Sequence, residues 1–382
     1  MRIVLVGPTY PLRGGIAQYT TSLYESFSRQ HAVLLISFAK QYPTLLFPGK
    51  TQEDQSERPF GVSHEAPLNS LFPWTWKRTA QRVNSHDPEL ILFQWWHPVF
   101  AYAFADIIRR VKLCSSAVAL FLCHNVYSHE GLPLPWGRIV ERRLIHKAFR
   151  QVDGFLVHSL PLGEQVQCFK PETLVRRIYH PSYDFYNRWD IEPQRESEKP
   201  SLLFFGNIRG YKGVDILVRA LAVVQEVLDV ETVIAGESYI DAGPLRRLAD
   251  EVGVAHRICW HDRYVSNEQV PALFRNSDVV VLPYRDASQS GVVSLAYEFD
   301  VPVIATDVGG LSEVVLEGRT GFLVPAEDPR ALGEAIIRYF REGCKSEFQQ
   351  NIRSFKKVLN WDQVVEATLQ LVEELQPSKD PS

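Results

Sequence analysis

The sequence predicts an α/β protein with two domains, each built on a doubly wound parallel sheet. Three observations lead to this prediction. Short apolar runs typical of buried strands alternate with helical patterns, and this alternation occurs twice along the chain. The length of 382 residues suits two domains of ordinary size. An apolar content of 45% with 23% charged residues is typical of globular proteins and provides material for two cores.

The first series of elements begins with an apolar run that starts at Arg2 and ends at Gly7, which predicts a strand. A loop with two adjacent glycines leads from it into a helical pattern, so the chain opens with a βα unit. Residues 40–70 are rich in polar residues and prolines and are predicted to form a loop excursion. The series continues with strands at 33–38, 90–93, 117–123 and 154–157 and helices at 100–111 and 138–149.

A charged stretch without apolar periodicity, at residues 190–200, is predicted to be the interdomain linker. The second alternation follows it, and an amphipathic pattern at 361–375 predicts a final helix. Strands are predicted at 202–205, 231–235, 258–260, 279–282, 301–306 and 321–324, and helices at 213–227, 243–252, 267–275 and 291–299. The predicted divisions are an N-terminal domain (1–189), the linker (190–200), a C-terminal domain (201–358), a helix that packs back on the N-terminal domain (359–376) and a disordered tail (377–382).

The composition argues against several classes of protein. A net charge of −4 does not suit a general nucleic-acid-binding protein. No apolar run approaches the ~18 residues of a membrane-spanning helix, and Gly7 and Pro8 interrupt the opening run too early for a signal-peptide core. The five cysteines are scattered without disulfide or zinc spacing, as expected in a reducing compartment. We therefore expect a cytoplasmic protein.

Residues 202–217 combine a predicted strand, a short turn and a helix start. The strand ends at Gly206, and the turn presents Arg209 and Lys212 before the helical pattern begins near Gly213. Two cations are thus placed where the backbone N–H groups of a helix start also favour anions. This arrangement suits a diphosphate. For the motif alone, the alternative is a solvated Arg/Lys pair in a surface loop.

Further motifs follow this one along the chain. As a set, they resemble the nucleotide-sugar half of the retaining glycosyltransferases of family 4. They are Pro283-Tyr284, the run Ser288-Gln289-Ser290-Gly291-Val292-Val293, the stretch from Pro302 through Gly309-Gly310 to Glu313, and the pair Gly318 and Gly321. The N-terminal half resembles the family more weakly, through Gly14-Gly15 and the predicted strand ends at His124-Asn125 and His158-Ser159.

The resemblance implies the GT-B fold, in which two Rossmann-like domains face each other across a cleft. It also implies a hexosyltransferase-like enzyme of class EC 2.4 that acts in polysaccharide biosynthesis. Such an enzyme moves a sugar from a nucleotide-diphosphate donor to a glycan or lipid-linked acceptor, with retention of anomeric configuration. The family meets the leaving charge with basic side chains and backbone N–H groups. We therefore expect no metal and no cofactor, since the nucleotide sugar is a substrate, and no nucleic-acid partner.

The resemblance also assigns roles to individual residues. Arg209 and Lys212 would stabilise the diphosphate as charge builds on it, which makes them catalytic. His124, at a strand end, would contact a donor-sugar hydroxyl or assist the acceptor; its alternative is a structural histidine. The donor-binding candidates are Gly14, Gly15, Ser288, Gln289, Ser290, Gly291, Val292, Tyr284 and Glu313.

Several of these candidates have a structural alternative. The two adjacent glycines also suit a tight βα turn, Ser290 suits a helix cap, Tyr284 a core position and Glu313 a carboxylate at a helix start. His129 and Glu130 are candidates for shaping an acceptor pocket, and His158 and His180 are weaker site candidates.

The chain departs from the family at one point. Two glutamates separated by seven residues are usual there, but the aligned positions are Ser288 and Ala296, or Leu295 in a second register. Glu298 restores the pair in neither register. Two alternatives to the transferase therefore stay open: a nucleotide-sugar-binding protein that has lost catalysis, and a nucleotide-sugar epimerase on the same fold.

Aromatic residues and cations are concentrated in two stretches of the N-terminal half, at 72–78 and at Trp95-Trp96-His97. Tryptophan beside lysine or arginine suits the membrane interface, which would bring a lipid-linked acceptor to the protein. This reading places the protein at the inner face of the membrane. The alternative is buried packing with a solvated rim.

Overall fold

The computed structural model describes residues 1–42, 51–57, 60–128, 131, 136–189 and 198–376. The predicted tail at 377–382, most of the predicted linker, and His129 and Glu130 lie outside the described residues. The chain forms two compact units. The first comprises Met1–Asp54, Pro59–Tyr179 and Trp361–Ser382, and the second comprises Gln55–Arg58 and His180–Asn360. The predicted α/β class with two parallel, Rossmann-like sheets is confirmed.

The first unit contains, among its described residues, a seven-stranded parallel sheet with the order β3-β2-β1-β4-β5-β6-β7. Its strands are β1 (Arg2–Val6), β2 (Ala32–Lys40), β3 (Glu65–Asn69), β4 (Leu90–Trp95), β5 (Val118–Cys123), β6 (Gly154–Val157) and β7 (Leu174–Arg177). Its helices are α1 (Gly15–Ser28), α2 (Pro73–Ser85), α3 (Ala101–Lys112), α4 (Gly137–Phe149) and α5 (Leu160–Gln167).

Residues 40–70 were expected to form only a loop excursion, and this expectation is wrong for the last residues of the segment. Strand β3 lies there at the edge of the sheet and pairs with β2 through two register shifts. Of its five residues only Leu68 is buried, so the apolar signal of a strand is nearly absent from its sequence. Pairing with β2, and not the local pattern, makes this segment a strand.

Successive residues of the central strands face opposite sides of the first sheet, as strand geometry requires. Val4 and Val6 of β1 pack into a core covered by α2, α3 and α4. Ile3 and Leu5 pack on the other side, against α1 and the C-terminal helix α12 (Trp361–Leu375). The two faces explain why β1, β4 and β5 are mostly apolar, with Arg2 at the start of β1 and Gln94 in β4 as the polar exceptions.

Helix α12 belongs to the first unit, as predicted. Trp361 lies with its ring centroid 4.8 Å from that of Tyr19 in α1. Val364 and Leu371 are almost fully buried in the same core. The amphipathic stripe of α12 therefore completes one face of the N-terminal sheet.

The second unit contains, within the part of the chain that is described, a six-stranded parallel sheet with the order β10-β9-β8-β11-β12-β13. Its strands are β8 (Ser201–Phe205), β9 (Glu231–Ala235), β10 (Ile258–His261), β11 (Val279–Leu282), β12 (Val303–Thr306) and β13 (Gly321–Val324). Its helices are α6 (Val214–Val224), α7 (Gly243–Glu251), α8 (Val270–Arg275), α9 (Gly291–Glu298), α10 (Pro329–Arg341) and α11 (Lys345–Phe355).

None of the helices in the described ranges combines the length and the apolar character that crossing a bilayer demands.

Candidate functional site

The turn after β8 depends on a glycine backbone. Gly213 adopts φ +64°, and a Cβ at this position would lie 1.9 Å from the carbonyl oxygen of Pro283. The turn is therefore pressed against the loop that follows β11, the neighbouring strand. A short 3-10 helix at Gly210–Lys212 leads into this glycine, and α6 starts at Val214.

Lys212 is held by an aromatic side chain. Its Nζ donates a hydrogen bond of 3.0 Å to Tyr284 Oη and lies 4.7 Å from the centre of the Tyr284 ring. Tyr284 is buried, whereas Lys212 is half-buried. Burial alone lowers the pKa of Lys212, but the neighbouring hydroxyls of Tyr284 and Tyr211 outweigh it, and the pKa lies above its ordinary value. The ammonium group is thus charged at neutral pH and fixed in place.

Arg209 lies on a second tyrosine of the same unit. Its guanidinium carbon is 4.5 Å from the ring centre of Tyr239, which follows β9. Arg209 has an extended backbone and is half-buried. The turn therefore presents two cations, each backed by an aromatic face, at the carboxyl edge of adjacent strands.

Arg285 braces this turn, and sequence reasoning missed it. Its guanidinium donates two hydrogen bonds to the Asp215 carboxylate, at 2.8 and 2.7 Å, and another of 2.8 Å to the carbonyl of Gly210. Burial alone would raise the pKa of Asp215, but the hydrogen bonds from Arg285 outweigh burial and lower it. The only local signal for Arg285 is its position directly after Pro283-Tyr284.

The first turn of α9 lies beside Lys212. A Cβ added to Gly206, which has φ +114°, would be 3.1 Å from Lys212 Nζ and 3.9 Å from a methyl group of Val292. Ser290 caps α9, accepting a hydrogen bond of 3.3 Å from the N–H of Val292. Ser290 thus has the predicted capping role. The capped start of α9 and the Lys212 ammonium both lie beside the Gly206 backbone.

The segment that contains His180 and Tyr183 packs against the start of α9 and leaves no room for a side chain at Gly291, the first residue of the helix. A Cβ on Gly291 would lie 2.7 Å from Tyr183 Oη and 3.4 Å from His180 Nε2. Nδ1 of His180 is 2.9 Å from the Pro181 carbonyl, so Nδ1 is the donor and Nε2 can accept from Tyr183. Ser294 also donates to the His180 carbonyl, at 3.1 Å. The start of α9 is therefore packed on a buried His–Tyr pair.

We expect His180 to make the stability of the protein depend on pH. Burial lowers the pKa of His180 from 6.5 to about 4, against the opposing hydrogen bond to Pro181. The unfolded chain therefore binds the proton first, and stability falls as pH drops from about 6.5 towards 4. Relative to His180→Gln, wild type should lose about 2 kcal/mol between pH 7 and pH 5. Urea unfolding of both proteins at the two pH values measures this, and equal losses would contradict it.

Glu298 does not replace the missing glutamate pair. It ends α9, and its carboxylate accepts a hydrogen bond of 2.7 Å from Asn187, while Lys356 binds its carbonyl at 2.7 Å. A helix of eight residues separates it from Gly291 by about 10 Å at 1.5 Å per residue. Leu295 and Ala296, at the aligned positions, are buried in the core. At the start of α9, the polar side chains are those of Ser288, Gln289 and Ser290.

The loop that carries Glu313 contacts the loop that leads into α9. Gly309 has φ +55°, and a Cβ there would lie 1.5 Å from the carbonyl of Ala287. Glu313 ends a three-residue 3-10 helix, Leu311–Glu313, just beyond this contact. The structure thus brings together Arg209, Lys212 and Tyr284, and it places the Ser288–Val292 run and the Glu313 loop beside them.

In the first unit, Gly14 and Gly15 begin α1 at the carboxyl end of β1. Gly14 has φ +109°, and a Cβ there would meet no described atom within 4 Å. Both glycines are exposed, and the first turn of α1, which lies within the described residues, carries no acidic side chain. Such a helix start is open to an anion.

His124 follows β5 and is buried in a polar cluster at the same edge of the first sheet. Its Nε2 lies 2.7 Å from Gln94 Oε1, so Nε2 carries the proton. The ring packs edge-on against Tyr19, with centroids 5.0 Å apart, and lies 5.3 Å from that of His158. Sequence reasoning identified both histidines but missed Tyr19 and Gln94, which are distant along the chain.

The tryptophans of the first unit divide into two groups. Trp95 and Trp96 are buried in the core, so burial is the correct alternative for that stretch. Trp74 is 67% exposed and stacks on the exposed Phe72, with ring centroids 4.6 Å apart. In the stretch 72–78, Trp76 is half-buried and packs against the core, whereas Phe72 and Trp74 are exposed.

Residues 199–342 match the family model described as Glycosyl transferases group 1. By this match and by its relatives, the chain is similar to the group 1 glycosyltransferases. It is 25% identical over 355 residues to the "GDP-mannose-dependent alpha-(1-6)-phosphatidylinositol monomannoside mannosyltransferase" of Mycolicibacterium smegmatis, with 85% of each chain covered. It is 34% identical over 226 residues to a D-inositol 3-phosphate glycosyltransferase of Streptomyces scabiei, covering 54% of this chain and 50% of the relative.

Solved structures of other proteins share the fold of this chain. A glycosyltransferase from Rickettsia africae superposes with a TM-score of 0.70 at 17% identity, covering 98% of both chains. Anabaena HepE in complex with UDP gives a TM-score of 0.71 at 17% identity, covering 98% of this chain and 99% of that one. The predicted GT-B fold is therefore confirmed. The predicted glycosyltransferase activity is confirmed by the family match and by the named relatives.

Proposed function

We propose that this glycosyltransferase moves a sugar from a nucleoside-diphosphate donor to a lipid-linked or glycan acceptor, with retention and without a metal. One observation carries the proposal. Lys212 Nζ and the capped start of α9 converge over the Gly206 backbone at the carboxyl edge of the second sheet. Ligands of open α/β sheets bind at such edges, and helix starts favour phosphate.

The chemistry follows from the fixed charges. When the bond between the anomeric carbon and the diphosphate lengthens, negative charge grows on the leaving oxygens. The Lys212 ammonium and the Arg209 guanidinium are held on tyrosine rings before the reaction, so they stabilise this charge without rearranging. Arg209 presents a forked donor and Lys212 a point charge, which together suit a diphosphate.

The acceptor side of the proposal draws on the relatives. The Mycolicibacterium enzyme is named for GDP-mannose and a phosphatidylinositol mannoside, and HepE was crystallised with UDP. We extend to this chain only the shared chemistry, namely a nucleoside-diphosphate sugar and an acceptor that carries a lipid or a glycan. Retention is proposed from the resemblance to the retaining family. We propose a short-lived oxocarbenium-like ion and no covalent intermediate, because Ser288 stands where the family has a carboxylate.

A second candidate is a donor-binding protein that has lost catalysis. The absence of the glutamate pair at positions 288 and 296 favours it. Both candidates bind a nucleotide, but only the enzyme releases free nucleoside diphosphate from the sugar nucleotide.

A release assay tests the proposal. Purified protein is incubated with UDP-, GDP- and ADP-sugars in EDTA, and free nucleoside diphosphate is measured against a heat-inactivated sample. We expect release from one donor class, unchanged by EDTA, because the charge is met by side chains. Tight nucleotide binding without release from any donor, with and without a lipid acceptor extract, would favour the binding protein. Release that EDTA abolishes would overturn the metal-independent route.

A further inference from the structure

An exposed, strongly basic surface covers α2, α3 and α4 of the first unit. Segments 73–85, 101–112 and 137–150 hold eleven Lys and Arg residues and two carboxylates, in a chain whose net charge is −4. Both carboxylates are already bound: Asp106 by Arg109 and Arg110, and the buried Glu141 by Arg138. Arg82 and Lys112 also pair with Glu65 and Asp153 outside these segments, so the excess of positive charge on this helical layer is largest on α4.

Helix α4 carries this charge in an amphipathic pattern. Its inner residues, among them Ile145 and Phe149, are buried in the core of the first unit. Its outer face repeats at helical spacing and is exposed, and consists of Ile139, Arg142, Arg143, His146, Lys147 and, just beyond the helix, Arg150. The helix thus presents a row of cations to solvent that no element of the first unit covers among its described residues.

The first turn of α4 adds large apolar side chains to this face. Trp136, at its N-cap, is 59% exposed, and Ile139 is equally exposed at 59%. Val140 is also exposed. A protein in water rarely exposes a tryptophan and an isoleucine within one helical turn. An apolar first turn followed by a cationic row is the pattern of a helix that lies in a membrane interface.

The neighbouring helices extend the same surface. Lys147 Nζ lies 4.6 Å from the ring centre of Tyr102, which is in the first turn of α3 and 52% exposed. Helix α2 packs on α3 and carries the exposed Phe72–Trp74 stack at its start, followed by the exposed Lys77 and Arg78. Aromatic side chains with one apolar face and a polar edge, flanked by cations, favour the headgroup level of a bilayer.

We propose that this surface, defined by Phe72, Trp74, Tyr102, Trp136, Ile139, Arg142, Arg143 and Lys147, docks the protein on an anionic lipid bilayer. The charge of the surface complements acidic headgroups, and its aromatic side chains enter the interface. The α2 and α3 starts and His124 all lie at the carboxyl edge of the first sheet. Docking there would bring a lipid-linked acceptor to this edge. This consequence rests on the proposed function, whereas the docking on the bilayer does not depend on it.

Vesicle co-sedimentation tests the surface without donor or acceptor. The full chain is mixed with neutral phosphatidylcholine vesicles and with vesicles that contain about 30% phosphatidylglycerol. We expect binding to the anionic vesicles that weakens as salt is raised. Arg142→Glu/Arg143→Glu should weaken it by about tenfold or more, since each cation near an anionic surface contributes to binding. Trp74→Ser/Trp136→Ser should also weaken binding to the anionic vesicles. The difference in binding between this variant and wild type should remain at high salt, because it comes from apolar contacts.

Two control variants separate the proposed surface from general effects. Leu113→Ser removes a side chain that is 74% exposed at the opposite end of α3. Arg247→Glu/Arg341→Glu reverses two exposed cations of the second unit. Both controls should bind anionic vesicles as wild type does. Equal weakening by the controls, equal binding to neutral vesicles, or binding to a soluble polyanion but not to vesicles would overturn the proposal. Failure of the release assay with intact vesicle binding would reject the proposed function alone.

Discussion

Replacing Lys212 by methionine is expected to lower kcat by about 100-fold or more, with a small effect on stability. The ammonium group is half-buried, charged and fixed on Tyr284, so its stabilisation grows as the diphosphate leaves. Removal of one preorganised donor to a developing oxyanion costs about 100- to 1,000-fold in other enzymes. Methionine keeps the apolar stem of the side chain and removes only the charge.

The comparison needs a matched cation. Arg246 lies 5.1 Å from the ring centre of Trp260, an equivalent cation–aromatic contact on α7 of the same unit. Arg246→Met should therefore leave kcat near wild type, while Arg209→Met and Lys212→Met both reduce it. Steady-state release of nucleoside diphosphate measures kcat, and melting curves verify folding. A folded Arg209→Met/Lys212→Met double variant with wild-type kcat would refute the role assigned to these cations.

Substitution of Gly213 by alanine is expected to lower the melting temperature by about 6 °C or more and to abolish most activity. Gly213 has φ +64°, where a Cβ costs about 1–2 kcal/mol, and here the Cβ would also lie 1.9 Å from the Pro283 carbonyl. The turn must then move away from the loop after β11. A total loss near 3 kcal/mol in the free energy of unfolding would lower the melting temperature of a unit as large as the second one by about 6 °C or more.

Gly210 offers a control three residues earlier in the same turn. A Cβ there would meet no described atom within 4 Å, so Gly210→Ala should melt within about 2 °C of wild type. Differential scanning calorimetry of the two variants gives the comparison. If the two variants have the same melting temperature, the close approach of Gly213 to Pro283 does not restrain the turn. The fixed position of Lys212 would then need another cause.

The strands of the C-terminal half were predicted well from sequence because their signals are local, whereas α10 and α11 were not predicted. The apolar runs at 202–205, 279–282 and 322–324 lie in β8, β11 and β13, and they are followed by Gly206, Pro283 and Pro325. Burial of a central parallel strand on both faces requires this composition, so the pattern and the structure have one cause. The turn with Arg209 and Lys212 follows directly from such a strand, which makes its place at the sheet edge predictable.

Other features depend on pairing between distant segments and left little local trace. Strand β3 is mostly polar and becomes a strand through its pairing with β2. Arg285 has a role only because the loop after β11 lies on the turn after β8. Trp74 is exposed at the start of α2, whereas Trp95 is buried because it ends β4 inside the sheet, and this difference likewise depends on the tertiary packing.

The sequence alone determined the α/β class, the two parallel sheets and the two cations beside a predicted strand end. These properties are written in local composition, since burial and backbone geometry act on each segment where it stands. Only the tertiary structure decided that Tyr284 holds Lys212, that a His180–Tyr183 pair lies behind Gly291, and that cations and aromatics of three helices share one surface. Such contacts join residues far apart in the chain, and a local pattern does not encode which distant segments will meet.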